Sequence, residues 1–128
     1  MTSREDICVT CTDYVAAVAA HDTDAIMRLF APDATQEEPV GSTPKVGHAE
    51  IRAFFESSES FPFTVRRIGP ITVSGNVAAF QIRVDFPWAD AAAMTSTDVV
   101  SFDDDARIRS IVAIPDPDAD PDDRGHTP

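Results

Sequence analysis

This chain contains no apolar run near the ~18 residues that a membrane-spanning helix requires. Its start, MTSREDICVTC, lacks the basic opening and apolar stretch of a secretory signal. Cysteine is scarce, with two residues, which is too few for a disulfide framework and in keeping with a reducing cytoplasm. There are five glycines and no Gly-rich phosphate loop, and no G-x-S-x-G, so nucleotide binding and nucleophilic serine chemistry lack their parts. Positive charge is short as well. Ten basic residues face 22 acidic ones, and a net charge of −12 repels nucleic acid and anionic membranes alike. What remains is 43% hydrophobic in a chain of 128 residues, enough for one domain with a sizeable core.

The acidity is concentrated at the end. Residues 115–128, PDPDADPDDRGHTP, hold five Asp, four Pro and no apolar side chain larger than alanine apart from those prolines. Such a segment cannot bury enough surface to offset its ordering entropy, so the expectation is one domain over 1–114 and a disordered tail beyond it. Its Asp-x-Asp spacing does not amount to a calcium site, because alternating prolines supply no fixed cage of oxygens.

Within the body, Ile7, Cys11, Tyr14 and Val18 step by 4, 3 and 4, one stripe of a helix over about residues 4–20. Asp22 caps a second helix with Ile26, Leu29 and Phe30 as its stripe, ended by Pro32. The turn-rich segment 35–47 predicts only short strands, and a third helix follows at about 48–57 with Ile51, Phe54 and Phe55 inward. The period then changes to two. Phe80, Ile82, Val84 and Phe86 share one face of a strand, joined through Ser74-Gly75-Asn76 to another at about 64–73. Residues 93–102 and 107–114 form two more, around the turn at 103–106. Three helices followed by an antiparallel meander is an α+β plan.

The candidate chemistry is sparse. Cys8-Val9-Thr10-Cys11 reads as C-x-x-C, but no strand precedes it for a redox motif and no second pair exists for zinc. Two small packed hydrophobes on a helix account for it. His21, His48 and His126 are far apart and none has a partner at i+4, so a helical metal pair is absent. Asp98 is different: it shares its strand face with Met94, Ser96, Val100 and Phe102. If that face is the core, the carboxylate is either paired with an arginine or held by its surroundings. Tyr14 is the single tyrosine and lies in an apolar stripe, so its hydroxyl either reaches water at an edge or needs a buried partner. Glu37 and Glu38 point opposite ways on an extended segment, leaving one to face inward or both to be solvated.

From Tyr14 to Phe55 the chain resembles the bacterial Δ5-3-ketosteroid isomerases of the NTF2-like (SnoaL-like) superfamily. The matching signals are the first-helix tyrosine, D-x-D-A-I…L-F-A-x-D-A-T, an acid-Pro-x-Gly turn, and G-x-x-x-I-R-x-F-F. The likeness continues through T-S-T-D-V-V-S-F at 95–102 and covers about residues 7–114. The resemblance implies an NTF2-like cone, three N-terminal helices on a curved, mostly antiparallel sheet. It implies Tyr14 and a protonated Asp98 as hydrogen-bond donors to an oxyanion, and Glu38 as general base. A carboxylic acid kept neutral by an apolar site is that family's known device, carried to Asp98 by the resemblance.

Two positions depart from the family. Glu38 stands where an aspartate is usual, which adds a methylene to the base. Phe30 and Phe55 stand where some members support the catalytic tyrosine with further tyrosines.

The implied reaction is isomerisation of a 3-oxo-Δ5-steroid to its Δ4 isomer, without metal or cofactor. The expected pocket lining is Val18, Phe54, Phe55, Phe80, Phe86, Trp88, Val100 and Ile111. The resemblance further implies a homodimer formed through the outer face of the sheet. Rival readings on the same fold are a polyketide cyclase, a dehydratase-like lyase, or a non-catalytic binder of a hydrophobic ligand.

Overall fold

The computed structural model describes residues 2–88 and 92–121. Helix α1 (Arg4–Ala19) opens where the Ser3 side chain accepts from the Asp6 backbone N–H at 3.1 Å, with Glu5 and Asp6 complementing the helix dipole. Its buried stripe is Ile7, Thr10, Cys11, Tyr14 and Ala17. Thr10 Oγ1 reaches across to donate to the Ala106 carbonyl at 2.8 Å, tying the helix to a distant turn. His21 follows at a φ of 55° and its ring Nε2 donates to the Phe63 carbonyl at 2.9 Å.

Asp22 caps α2 (Thr23–Met27), its side chain accepting from Ala25 N. The second helix is shorter than expected. Phe30 does not belong to its stripe but opens β1 (Phe30–Glu37), and Pro32 lies inside that strand instead of ending the helix. The strand tolerates it because pairing shifts register between Phe30 and Thr35, where a residue without an N–H costs no ladder bond. β2 (Lys45–Val46) and α3 (Gly47–Ser58) follow, and His48 Nε2 donates to the Phe30 carbonyl at 2.9 Å.

The meander has β3 (Thr64–Ser74), β4 (Val77–Phe86), β5 (Ala92–Phe102) and β6 (Ile108–Asp116). One six-stranded sheet results, in the order β2-β1-β6-β5-β4-β3. All its pairs are antiparallel except β1 with β6. Helix α1 packs against β3 and α3 against β1, so the helices cover one face. The α+β expectation holds, with one parallel pair added.

β6 runs to Asp116, and beyond it the Ala119 carbonyl accepts from Arg83 Nη1 at 3.0 Å and Thr95 Oγ1 at 3.1 Å. Backbone groups, not apolar side chains, carry this docking, which is why composition did not reveal it. Residues 122–128 of the expected tail lie outside the described residues. No helix among the described residues is long and apolar enough to cross a membrane.

Candidate active site

A cavity of about 180 Å³ opens between the helices and one end of the sheet. α1 contributes Tyr14, Val15 and Val18, and α3 contributes Phe54, Phe55 and Ser58. The strands supply Val65, Ile82, Val84, Phe86, Met94, Ser96 and Asp98, with Phe63 just before β3 and Glu38 just after β1. Tyr14, Glu38 and Asp98 thus meet in one chamber whose walls are otherwise almost entirely apolar.

Each polar group arrives by a separate local rule. Asp98 comes in by strand alternation: Ser96, Asp98, Val100 and Phe102 are buried while Thr97, Val99 and Ser101 between them are half-buried. Tyr14 rides the buried stripe of α1, with Phe30, Phe55 and Phe80 ring centroids 6.2, 6.4 and 6.3 Å from its own. Glu38 follows Glu37 at the end of β1, on a cis peptide to Pro39. Glu37 is turned to other work: its carboxylate accepts from Gly41 N at 2.9 Å, closing the turn around a glycine at φ +89°. Val40 N then donates to the Ala113 carbonyl at 2.8 Å, and Ala113 is the register partner of Asp98. The turn bearing one acid is therefore fastened to the strand beside the other.

The electrostatics follow from burial. Asp98 is 3% exposed, and desolvation pushes its carboxyl from 3.8 up to about 7. The charge on Glu38 adds to that rise, while the Ser96 hydroxyl, donating to Asp98 Oδ1 at 3.2 Å, opposes it. Burial likewise raises Glu38, against the Lys45 charge and the Gln36 amide, which donates from Nε2 to Oε2 at 3.4 Å. Lys45 itself lies 4.8 Å over the Phe54 ring, a cation held against the cavity wall. Tyr14 is held well above its ordinary range by burial, and both nearby acids push the same way. Chemically, such a chamber offers neutral O–H donors and one carboxylate base to an apolar ligand.

Of the expected lining, Val18, Phe54, Phe55 and Phe86 border the cavity. Phe80, Val100 and Ile111 do not; they are buried in the core, on the correct face but further along the strands. Trp88 is half exposed beyond the end of β4, edge-to-face with Phe86 at 5.2 Å and tilted against Phe61 at 5.7 Å. Gln36 and Ser96 were missed as partners of the two acids. Both sit two residues before the acid they serve, a spacing that places them on the same face of an extended segment. Cys11 is buried and its thiol is pushed up to about 12, first by desolvation, which leaves it protonated and unreactive. Among the described residues no cluster of three or more His, Cys, Asp or Glu could hold a metal ion.

Residues 11–111 match the family described as a SnoaL-like domain, and the chain belongs to that family. It is 36% identical over 101 residues to a protein of Nocardioides simplex named Steroid Delta-isomerase, a span covering 78% of this chain and 81% of that relative. In structure it is similar to SalBIII, described as an epoxide hydrolase/cyclase-like enzyme in pyran ring formation in polyether salinomycin. That likeness has a TM-score of 0.79 at 22% identity, over 91% of this chain and 95% of the other, and it speaks for the fold.

Proposed function

We propose that the protein is a steroid Δ-isomerase that converts 3-oxo-Δ5-steroids into 3-oxo-Δ4-steroids. The observation carrying this reading is the meeting of Tyr14, Glu38 and a strongly shifted Asp98 in one apolar cavity. The name of the Nocardioides simplex relative supports it. In this reading Glu38 takes the proton at C4, the C–H electron pair moves into a dienolate, and the same carboxyl returns the proton at C6. Tyr14 and neutral Asp98 donate to the dienolate oxygen, where each preorganised donor is worth ~100-fold or more. Phe30, Phe55 and Phe80 around Tyr14 keep the phenol in a dry environment, so its hydrogen bond to the oxyanion is strong.

The cavity is smaller than the ~300–1,000 Å³ of sites that enclose drug-sized ligands. A flat four-ring ligand would seat its reacting end inside and run out along the aromatic wall from Phe86 to Trp88 and Phe61. Assembly as a homodimer belongs to the same reading, through the outer sheet face where Val99 pairs with Val112 and Thr97 with Ile114.

A spectrophotometric assay with 5-androstene-3,17-dione tests the proposal, the expected product being the conjugated Δ4 enone. Glu38→Gln should lose at least ~100-fold in kcat while still binding equilenin, since it keeps shape but cannot accept a proton. Equilenin binding with no turnover in the unmodified protein would favour a ligand-binding role. Absence of both would favour a cyclase or lyase acting on a different substrate.

A further inference from the structure

Gln36 is fully buried, at 0% exposure, yet half of its amide is idle. Nε2 donates to Glu38, while Oε1 is buried without a hydrogen-bond partner among the described residues. A buried acceptor left unmet is costly, so an amide here needs a reason. Its backbone explains where it is. Gln36 pairs with Ile111 of β6 on one side and Lys45 of β2 on the other, deep in the sheet. Alternation carries Ala34 and Gln36 inward and then delivers Glu38 on the same side.

Buried Asp98 and half-buried Glu38 share the cavity, and the charge of Glu38 raises Asp98. In so apolar a chamber they will not both ionise readily, and the reaction requires a particular assignment, with the charge on Glu38 and the proton on Asp98. We propose that Gln36 is the positioning residue that makes this assignment, drawing the negative charge onto Glu38 through its Nε2–H. The inference rests on the isomerase reading for its catalytic meaning, though not for its test. Once Glu38 has taken the substrate proton, its new O–H needs an acceptor, and the idle Oε1 belongs to the same amide. A half-turn of the amide would present that oxygen to the protonated acid in place of Nε2.

The groups facing Glu38 are Tyr14 from α1, Gln36 from β1, Lys45 from β2 and Asp98 from β5. Lys45 pulls in the same direction as Gln36, but it stacks on Phe54 and cannot accept a proton in return. Ser96 bonds Asp98 and so pulls the opposite way.

The test is Gln36→Met, which keeps an unbranched side chain of similar length with no N–H donor; Gln36→Leu serves if that variant folds poorly. The readout is carboxyl ¹³C NMR titration, with Glu38 and Asp98 assigned by Glu38→Gln and Asp98→Asn. Loss of the donor should raise the Glu38 midpoint by about one pH unit and lower that of Asp98. The acid limb of kcat/KM should move up with Glu38 by the same amount, the rate on that limb falling by up to about tenfold, and KM should stay unchanged. An unmoved Glu38 midpoint, or both acids shifting in the same direction, would overturn the proposal. Loss of the isomerase reading would appear instead as an inactive unmodified protein, with the NMR titration still deciding the role of Gln36.

Discussion

Asp98 owes its altered acidity to its neighbours on one strand face. Its carboxyl rises from 3.8 to about 7 chiefly because water is excluded, so the folded protein holds a proton that the unfolded chain gives up. Stability should therefore fall as pH rises from about 4 to about 7 and level off above that, with Glu38 contributing in the same direction. Urea unfolding across this range checks the sign. Asp98→Asn should flatten the slope and exceed the unmodified protein in stability at pH 8; matching slopes would show that the carboxyl is not desolvated. In the proposed reaction the same ionisation removes an oxyanion donor, so kcat should decline above about pH 7 and Asp98→Asn should abolish that decline. Glu37→Gln should act differently from any change at Glu38. Its carboxylate holds Gly41 N, so weakening that bond should loosen the turn and lower the thermal midpoint, with less than ~10-fold loss of activity.

At the scale of elements, β6 carries more than its composition suggested. Ser96 pairs with Pro115 and Thr95 with Asp116, and Thr95 also bonds the Ala119 carbonyl. A chain ending at 121 should keep the full thermal midpoint, whereas one ending at 114 should melt several degrees lower. Equal midpoints would mean that the Ala119 contacts contribute nothing. Strands β4 and β5 were readable in advance because long period-two runs admit one interpretation. β1 was not, since Pro32, Pro39 and Gly41 look like punctuation and its partner β6 lies about seventy residues away in sequence. The same limit explains the lining. Periodicity assigns Phe80, Val100 and Ile111 to the inner face, but it cannot say how far along the strands the helices leave a gap. That gap falls at Ile82 to Phe86 and Met94 to Asp98, while Phe80, its ring 6.3 Å from that of Tyr14, and Val100 sit one step deeper in the core. Periodicity singled out Tyr14 and Asp98 as polar groups in apolar stripes, while their roles and the choice of Glu38 over Glu37 came from the family resemblance; Gln36 was hidden inside a segment that read as turns.

Over the whole molecule, the cavity lies between α1 and α3 and the end of the sheet formed by Ile82 to Phe86 and Met94 to Asp98. From its wall the rings of Phe63, Phe86, Trp88 and Phe61 follow one another at 6.4, 5.2 and 5.7 Å, passing from cavity to solvent. Trp88 is the chain's single tryptophan, so all of its indole emission originates at this rim. The protein therefore carries its own optical probe, one ring away from the cavity. Equilenin or a steroid enone entering the cavity should shield the indole, moving its emission to shorter wavelength and quenching it in proportion to occupancy. Trp88→Phe should silence the signal while leaving turnover within a few-fold. An emission spectrum indifferent to saturating ligand would place the far end of the ligand away from this row of rings.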